Sequence, residues 1–183
     1  MSIAVSPDES ALPPDADRRY LLAVDLLGGA LNRLAAGYEA NPAEREDLLQ
    51  EIHLQLWRSL SGFDGRCSLR SWVYRVAHNV AADHVGRAMR RPTVSLELAD
   101  LDDTTASVHA HEEDLLDRIT LTQLYALLYR LGPIDRQVML LYLEGESAAV
   151  TAEVCGLSPG AVATRIHRLK AMLGQMLKEG VTP

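Results

Sequence analysis

A single phenylalanine and 5% aromatic residues leave this 183-residue chain short of the ring-rich alternating strands that build β-sandwiches and barrels. Cysteine is equally scarce. Cys67 and Cys155 stand far apart in different helical contexts, so they read as reduced thiols and not as a disulfide framework. No apolar run approaches the ~18 residues of a membrane span, and no membrane insertion is expected. The opening "MSIAVSPDESALPP" lacks a basic stretch followed by an apolar one, so secretion is not expected and a cytoplasmic location is. Catalytic signatures are missing too. There is no phosphate-binding loop, no Ser/His/Asp or Cys/His arrangement, and no carboxylate pair recurring at helical spacing. His78 and His84 are six residues apart and face different ways, and His109-x-His111 reads as a chance pair. Nothing implies an enzyme, a metal or a cofactor.

What is present is charge sorted by position. The formal net charge of −7 argues at first against a nucleic-acid partner. Yet residues 93–117 hold eight carboxylates (Glu97, Asp100, Asp102, Asp103, Glu112, Glu113, Asp114, Asp117) and no Lys or Arg. On one side, residues 58–91 carry seven arginines against Asp64 and Asp83. On the other, residues 158–178 carry Arg165, Arg168, Lys170 and Lys178 with no acid. Two basic helical blocks flank an acidic joint, a pattern that the overall charge conceals.

Apolar periodicity at 3.6 residues runs through both blocks, and no useful strand-like alternation appears. The expectation is an all-α chain of two small helical domains, of three and four helices, joined by a flexible acidic linker. Its boundaries are a disordered stretch at 1–14, a first domain at 15–92, the linker at 93–112 and a second domain at 113–183. Gly28-Gly29 marks a bend or a close packing site in the first helix. In "DLLQEIHLQLWRSL" (47–60), Leu48, Leu49, Ile52, Leu56 and Leu60 form a core stripe. Gln50, His53, Leu54 and Trp57 form a second stripe more than a quarter-turn away, which one core does not need.

Two segments point to nucleic acid. In "SAAVTAEVCGLSPGAVATRIHRLK", Ser147 caps a first helix, Gly156 supplies a tight turn and Leu157 fills the wedge. Ser158 and Pro159 then start a second helix whose core stripe is Val162, Ile166, Leu169 and Leu173. Gly160, Ala163, Thr164, His167 and Arg168 face outward, suited to a major groove, although a helical hairpin with a solvated basic face has the same pattern. Upstream, Leu69, Trp72, Val73, Val76 and Val80 read as core, with Trp72, Arg75, Asn79 and Asp83 along its border. That row suits an unpaired strand, with a ring to stack, a guanidinium for phosphate and an amide for a base edge, although spacing alone favours a buried Trp72 beside solvated arginines.

These pieces, in this order, resemble bacterial RNA polymerase sigma factors of the extracytoplasmic-function (ECF) type, which consist of regions 2 and 4 joined by a linker. The likeness rests on "DLLQEIHLQLWRSLSGFDGR", "SWVYRVAHNVAADHV" and "LEGESAAVTAEVCGLSPGAVATRIHRLK", and spans roughly residues 18–175. It implies promoter-directed initiation with core RNA polymerase as partner, through the β′ coiled coil and the β subunit. It makes Asp47, Gln50, Glu51, His53, Leu54 and Trp57 the polymerase-docking surface. Asp64, Arg70, Trp72, Arg75 and Asn79 would engage the opened −10 element, and Ala163, Thr164, Arg165, His167 and Arg168 the −35 duplex. The linker would thread toward the active-site and RNA-exit channels, and an anti-sigma factor is an expected further partner. Glu146, Thr151 and Ala163 depart from the family's usual aliphatic residue, Ile and Lys. The departures weaken the expected −35 grip and leave two other readings: a free-standing helix-turn-helix regulator, and a sigma-like module without DNA binding.

Overall fold

The computed structural model describes residues 15–90 and 112–178, so the 1–14 stretch and nearly all of the 93–112 linker lie outside the described residues. The elements are α1 (Ala16–Tyr38), α2 (Pro42–Ser59), a 3-10 turn (Leu60–Gly62), α3 (Leu69–Arg90), α4 (Glu112–Tyr129), α5 (Pro133–Leu143), α6 (Ala148–Cys155) and α7 (Pro159–Lys178). No strand occurs among the described residues. The starts follow from local chemistry. The Asn41 side chain accepts from the Ala43 and Glu44 amides ahead of Pro42, and Ser68 Oγ accepts from the Ser71 amide at 3.0 Å.

Of the predicted α2 core stripe, Leu48, Ile52, Leu56 and Leu60 are fully buried and Leu49 is half-buried. They meet Ala23, Leu27, Leu31 and Leu34 of α1 and Val73, Tyr74 and Ala77 of α3. α1 runs continuously through Gly28-Gly29 to Tyr38, and a Cβ at either glycine would meet nothing nearer than 3.4 Å, so the pair is not a close packing site. One expectation needs correction: the inward face of α3 is rotated from the expected one. Leu69 and Val73 are buried, but Trp72, Val76 and Val80 are only partly so, and Ser71, Tyr74, Ala77, His78 and Ala81 fill the interior. The physical reason is that these polar residues find partners: Tyr38 Oη lies 3.0 Å from His78 Nδ1, and Ser71 Oγ donates to Glu153.

The two helical units share one core. Leu127, Leu128, Leu131, Met139, Leu140, Leu141, Val154, Leu169 and Leu173 continue the cluster built by α1–α3. Tyr129 Oη donates to the Ala36 carbonyl. Buried Arg136 donates to the Leu128, Tyr129 and Leu131 carbonyls, satisfying the end of α4, and lies over the Tyr38 ring of α1 at 5.4 Å.

The close-packing glycine of α1 is Gly37. A Cβ there would sit 2.5 Å from Leu140 Cδ2 on α5, whereas at Gly28 the nearest atom would be 3.8 Å away. Opposite signs are therefore expected. Gly28→Ala should stabilise by about 0.5–1 kcal/mol through helix propensity. Gly37→Ala gains the same term but forces Leu140 aside, an overpacking cost of about 1–3 kcal/mol, for a net loss. Thermal unfolding of both variants checks this; equal shifts would mean that α1 and α5 do not meet closely.

Candidate functional site

Three surfaces carry the residues singled out by sequence. The first is the outer face of α1 and α2. Leu54 is 45% and Trp57 47% exposed, and the indole Nε1 donates to Asp17 Oδ1 at 2.7 Å, which fixes the ring's direction. Leu21, 65% exposed, lies one turn beyond Asp17 on the same side of α1. Asp47 and Gln50 are exposed at its edge. Glu51 is held by Arg87 at 2.6 Å. His53 turns toward α1, where Nδ1 meets the Tyr20 hydroxyl at 3.1 Å, and burial lowers its pKa. Sequence reasoning missed Asp17 and Leu21; their four-residue spacing on an otherwise polar turn was the available signal.

The second surface is a cleft of about 580 Å³ lined by Gly62, Asp64, Arg66, Cys67, Trp72, Arg75 and Glu153. Trp72 forms its wall, with its indole N–H on Ser59 Oγ at 3.0 Å and Phe63 edge-on at 5.3 Å. Arg75 lies over the Trp72 ring at 5.5 Å and donates to Cys67 Sγ at 3.1 Å. Burial pushes the Cys67 thiol up, against the pull of Arg75, so it stays protonated and weakly nucleophilic. The Arg66 amide and guanidinium hold the Asp64 carboxyl below the usual carboxylate range. A ring, a guanidinium and a polar floor converge here, which is what an unstacked base with its phosphate requires. Of the five residues expected at this site, Asp64, Trp72 and Arg75 line the cleft. Asn79 is exposed one turn further along α3, and Arg70 is paired with Glu146 at 2.7 Å. Glu153 was missed, because it enters from α6, 82 residues from Ser71.

The third surface is the α6–α7 pair. Ser147 Oγ accepts from the Val150 amide, Gly156 turns at φ 68°, and Ser158 Oγ accepts from the Ala161 amide. The motif's grammar is therefore realised residue by residue. Val162, Leu169 and Leu173 are buried and Ile166 half-buried, leaving Ala163, Thr164, His167 and Arg168 exposed. Arg165 is different: it is half-buried and ion-paired with Asp135 of α5, which also holds Arg168 at 3.2 Å. Thr151 is buried with its hydroxyl unpartnered among the described residues. Glu146 stands outside α6.

Residues 24–91 match the family model of sigma-70 region 2 and residues 121–173 that of sigma-70 region 4. The chain is 29% identical over 150 residues to the ECF RNA polymerase sigma factor SigM of Mycobacterium tuberculosis, covering 80% of this chain and 71% of the relative. It is 30% identical over 141 residues to the ECF sigma factor BldN of Streptomyces coelicolor, covering 75% and 52%. Among solved structures, CnrH in complex with the cytosolic domain of CnrY superposes with a TM-score of 0.65 at 23% identity, covering 91% of each chain. The sigma factor RpoE from Bartonella quintana, in complex with the anti-sigma factor NepR, gives 0.67 at 21%, covering 87% and 96%. At those identities the structural likeness speaks for the fold. No helix among the described residues is long and apolar enough to cross a membrane.

Proposed function

We infer how this chain, which belongs to the extracytoplasmic-function family of RNA polymerase sigma factors, divides promoter recognition among its surfaces. It is a transcription initiation factor that works with core RNA polymerase on promoter DNA. Region 2, taken as residues 15–92, docks on the β′ coiled coil through Trp57 and Leu54, with Asp47, Gln50, Glu51 and His53 around them. The observation that carries this reading is a half-exposed tryptophan whose ring is already oriented by Asp17. An apolar anchor with a fixed rotamer loses little entropy on binding.

Trp72 and Arg75 receive an unpaired base and its phosphate at the −10 element, with Asp64, Arg70 and Asn79 at the margins. Region 4, taken as residues 113–183, reads the −35 duplex through Ala163, Thr164, His167 and Arg168, and Arg165 braces the helix on Asp135. It also engages the β subunit, and residues 93–112 form the connection between the regions. The factor carries no catalytic step of its own and acts in the cytoplasm. An anti-sigma factor as inhibitory partner is supported by the complexes of its structural neighbours.

Multi-round transcription with purified core polymerase on fragmented genomic DNA tests the whole reading. Discrete transcripts sharing −35 and −10 elements are expected; none, despite tight core binding, would reduce the protein to an interaction module. Arg168→Ala should weaken duplex binding and reduce the slope of log affinity against log salt by about 1 if the side chain meets one phosphate. Equal slopes for the two proteins would exclude that contact.

A further inference from the structure

Two arginines of the reading helix share one carboxylate that lies outside the helix-turn-helix. Asp135 is in the first turn of α5, which Pro133 starts. Its Oδ1 accepts from Arg165, and its Oδ2 accepts from Arg168 at 3.2 Å. The two arginines are three residues apart on α7, so both leave one strip of that helix toward α5. The Arg168 side chain is 65% exposed, so its pairing adds little to stability. What the pairing sets is charge and direction. Two cations and one anion leave a single positive charge, and the Arg168 guanidinium leaves α7 on one heading. The rest of the outward face has a short reach. Ala163 offers a methyl group. Thr164 donates its hydroxyl to the Gly160 carbonyl at 3.0 Å, which leaves a methyl and acceptor lone pairs for the groove. Groups this short touch base edges only when the helix sits at one depth and in one register.

We propose that Asp135 is a positioning residue for −35 recognition. It holds Arg165 back from the DNA backbone and aims Arg168 at one phosphate, so that Ala163, Thr164 and His167 meet the bases in a single register. The proposal rests on α7 being the −35 reader. Phosphate contacts carry no sequence information themselves, but they set where the base-reading groups land. A guanidinium on an unrestrained stem takes whichever phosphate is near, and every register then gains the same charge attraction. With Asp135 in place one register is favoured, and the duplex meets one positive charge fewer. Asp135 therefore trades non-specific affinity for discrimination between sequences.

The test uses holoenzyme assembled from core polymerase and the full chain carrying Asp135→Asn, which keeps the side chain's shape and removes its charge. Titration of mixed-sequence duplex across a salt series reads non-specific affinity. Selection from a pool of randomised duplex reads the preference for the enriched −35 sequence. Asp135→Asn should bind mixed-sequence duplex more tightly, with a slope of log affinity against log salt steeper by about 1. Its preference for the enriched −35 sequence over the pool should fall about tenfold, the discrimination carried by roughly one base pair. Asp135→Glu restores the charge and should return the slope to that of wild type. Adding Arg165→Gln to Asp135→Asn should do the same, because the released cation is then gone. An unchanged slope and preference overturn the proposal. So does an equal loss of affinity for both DNAs at the wild-type slope, which is what loosening α5 from α7 alone would produce. Arg168→Ala separates this failure from failure of the site. If that variant keeps wild-type affinity, slope and −35 preference, the α7 reading falls and the role of Asp135 with it. If Arg168→Ala loses affinity while Asp135→Asn matches wild type, the role of Asp135 alone falls.

Discussion

Trp57→Ala should lower the affinity for core polymerase by about 30-fold or more, the 2 kcal/mol or greater that an aromatic anchor at the centre of an interface typically carries. The chain itself should barely notice. Trp57 is on the outer face of α2, away from Leu48, Ile52 and Leu56, and its indole N–H donates to exposed Asp17. The thermal midpoint should therefore move by no more than about 2 °C, the shift that a few tenths of a kcal/mol produces in a chain of this size. Asp17→Ala provides the graded comparison. It leaves the ring in place but frees its rotation, so the loss should be smaller, about fivefold for one hydrogen bond's worth of orientation. Fluorescence anisotropy of labelled factor against core polymerase measures all three proteins. If Trp57→Ala binds as tightly as wild type, the docking face lies elsewhere and the second stripe of α2 needs another explanation.

How much of this was legible beforehand depends on the range of the interaction. The helix-turn-helix was readable because every device in it is local: Ser147, Gly156, Ser158 and Pro159 act within three or four residues of themselves. The α2 stripes were readable for a similar reason, since the helix period alone separates Leu56 from Trp57. Reading α3 by apolar periodicity placed Leu69 and Val73 but missed the rest because its inner face is not wholly apolar. Ser71, Tyr74 and His78 follow a spacing of three and four, but what makes them interior is Glu153, 82 residues from Ser71, and Tyr38, 40 residues from His78. No periodic pattern encodes such partners. Arg165 is a related case: the resemblance, not the helix period, turned it toward DNA, and only the fold shows Asp135 beside it. The carboxylates Glu146 and Glu153 were visible as letters, but their arginine and serine partners belong to the other half of the chain.

The largest stability effect is expected at one of those unread residues. His78 is buried against Tyr38, and loss of hydration pushes its imidazole pKa from the ordinary 6.5 down to about 3. The Tyr38 hydroxyl, raised well above the usual phenol range by its own burial, keeps its proton. It therefore donates to Nδ1, and Nε2 carries the ring's hydrogen with no partner among the described residues. The folded state holds this ring neutral, while the unfolded chain protonates it near 6.5. The unfolded state thus binds more protons between those two values. The stabilisation is complete above about pH 6.5 and is lost as pH falls toward about 3, at up to about 1.4 kcal/mol per pH unit. Between pH 7 and pH 5 the wild type should lose about 2 kcal/mol through this group. His78→Gln keeps an acceptor for Tyr38 but cannot titrate, so its urea-unfolding free energy should fall by about 2 kcal/mol less over the same interval. His53, whose pKa burial also lowers, is present in both proteins and cancels from the difference. Parallel stability curves would mean that water or a proton reaches His78 in the folded chain. Because Tyr38 also lies under Arg136 of α5, that result would mean a looser joint between the two halves.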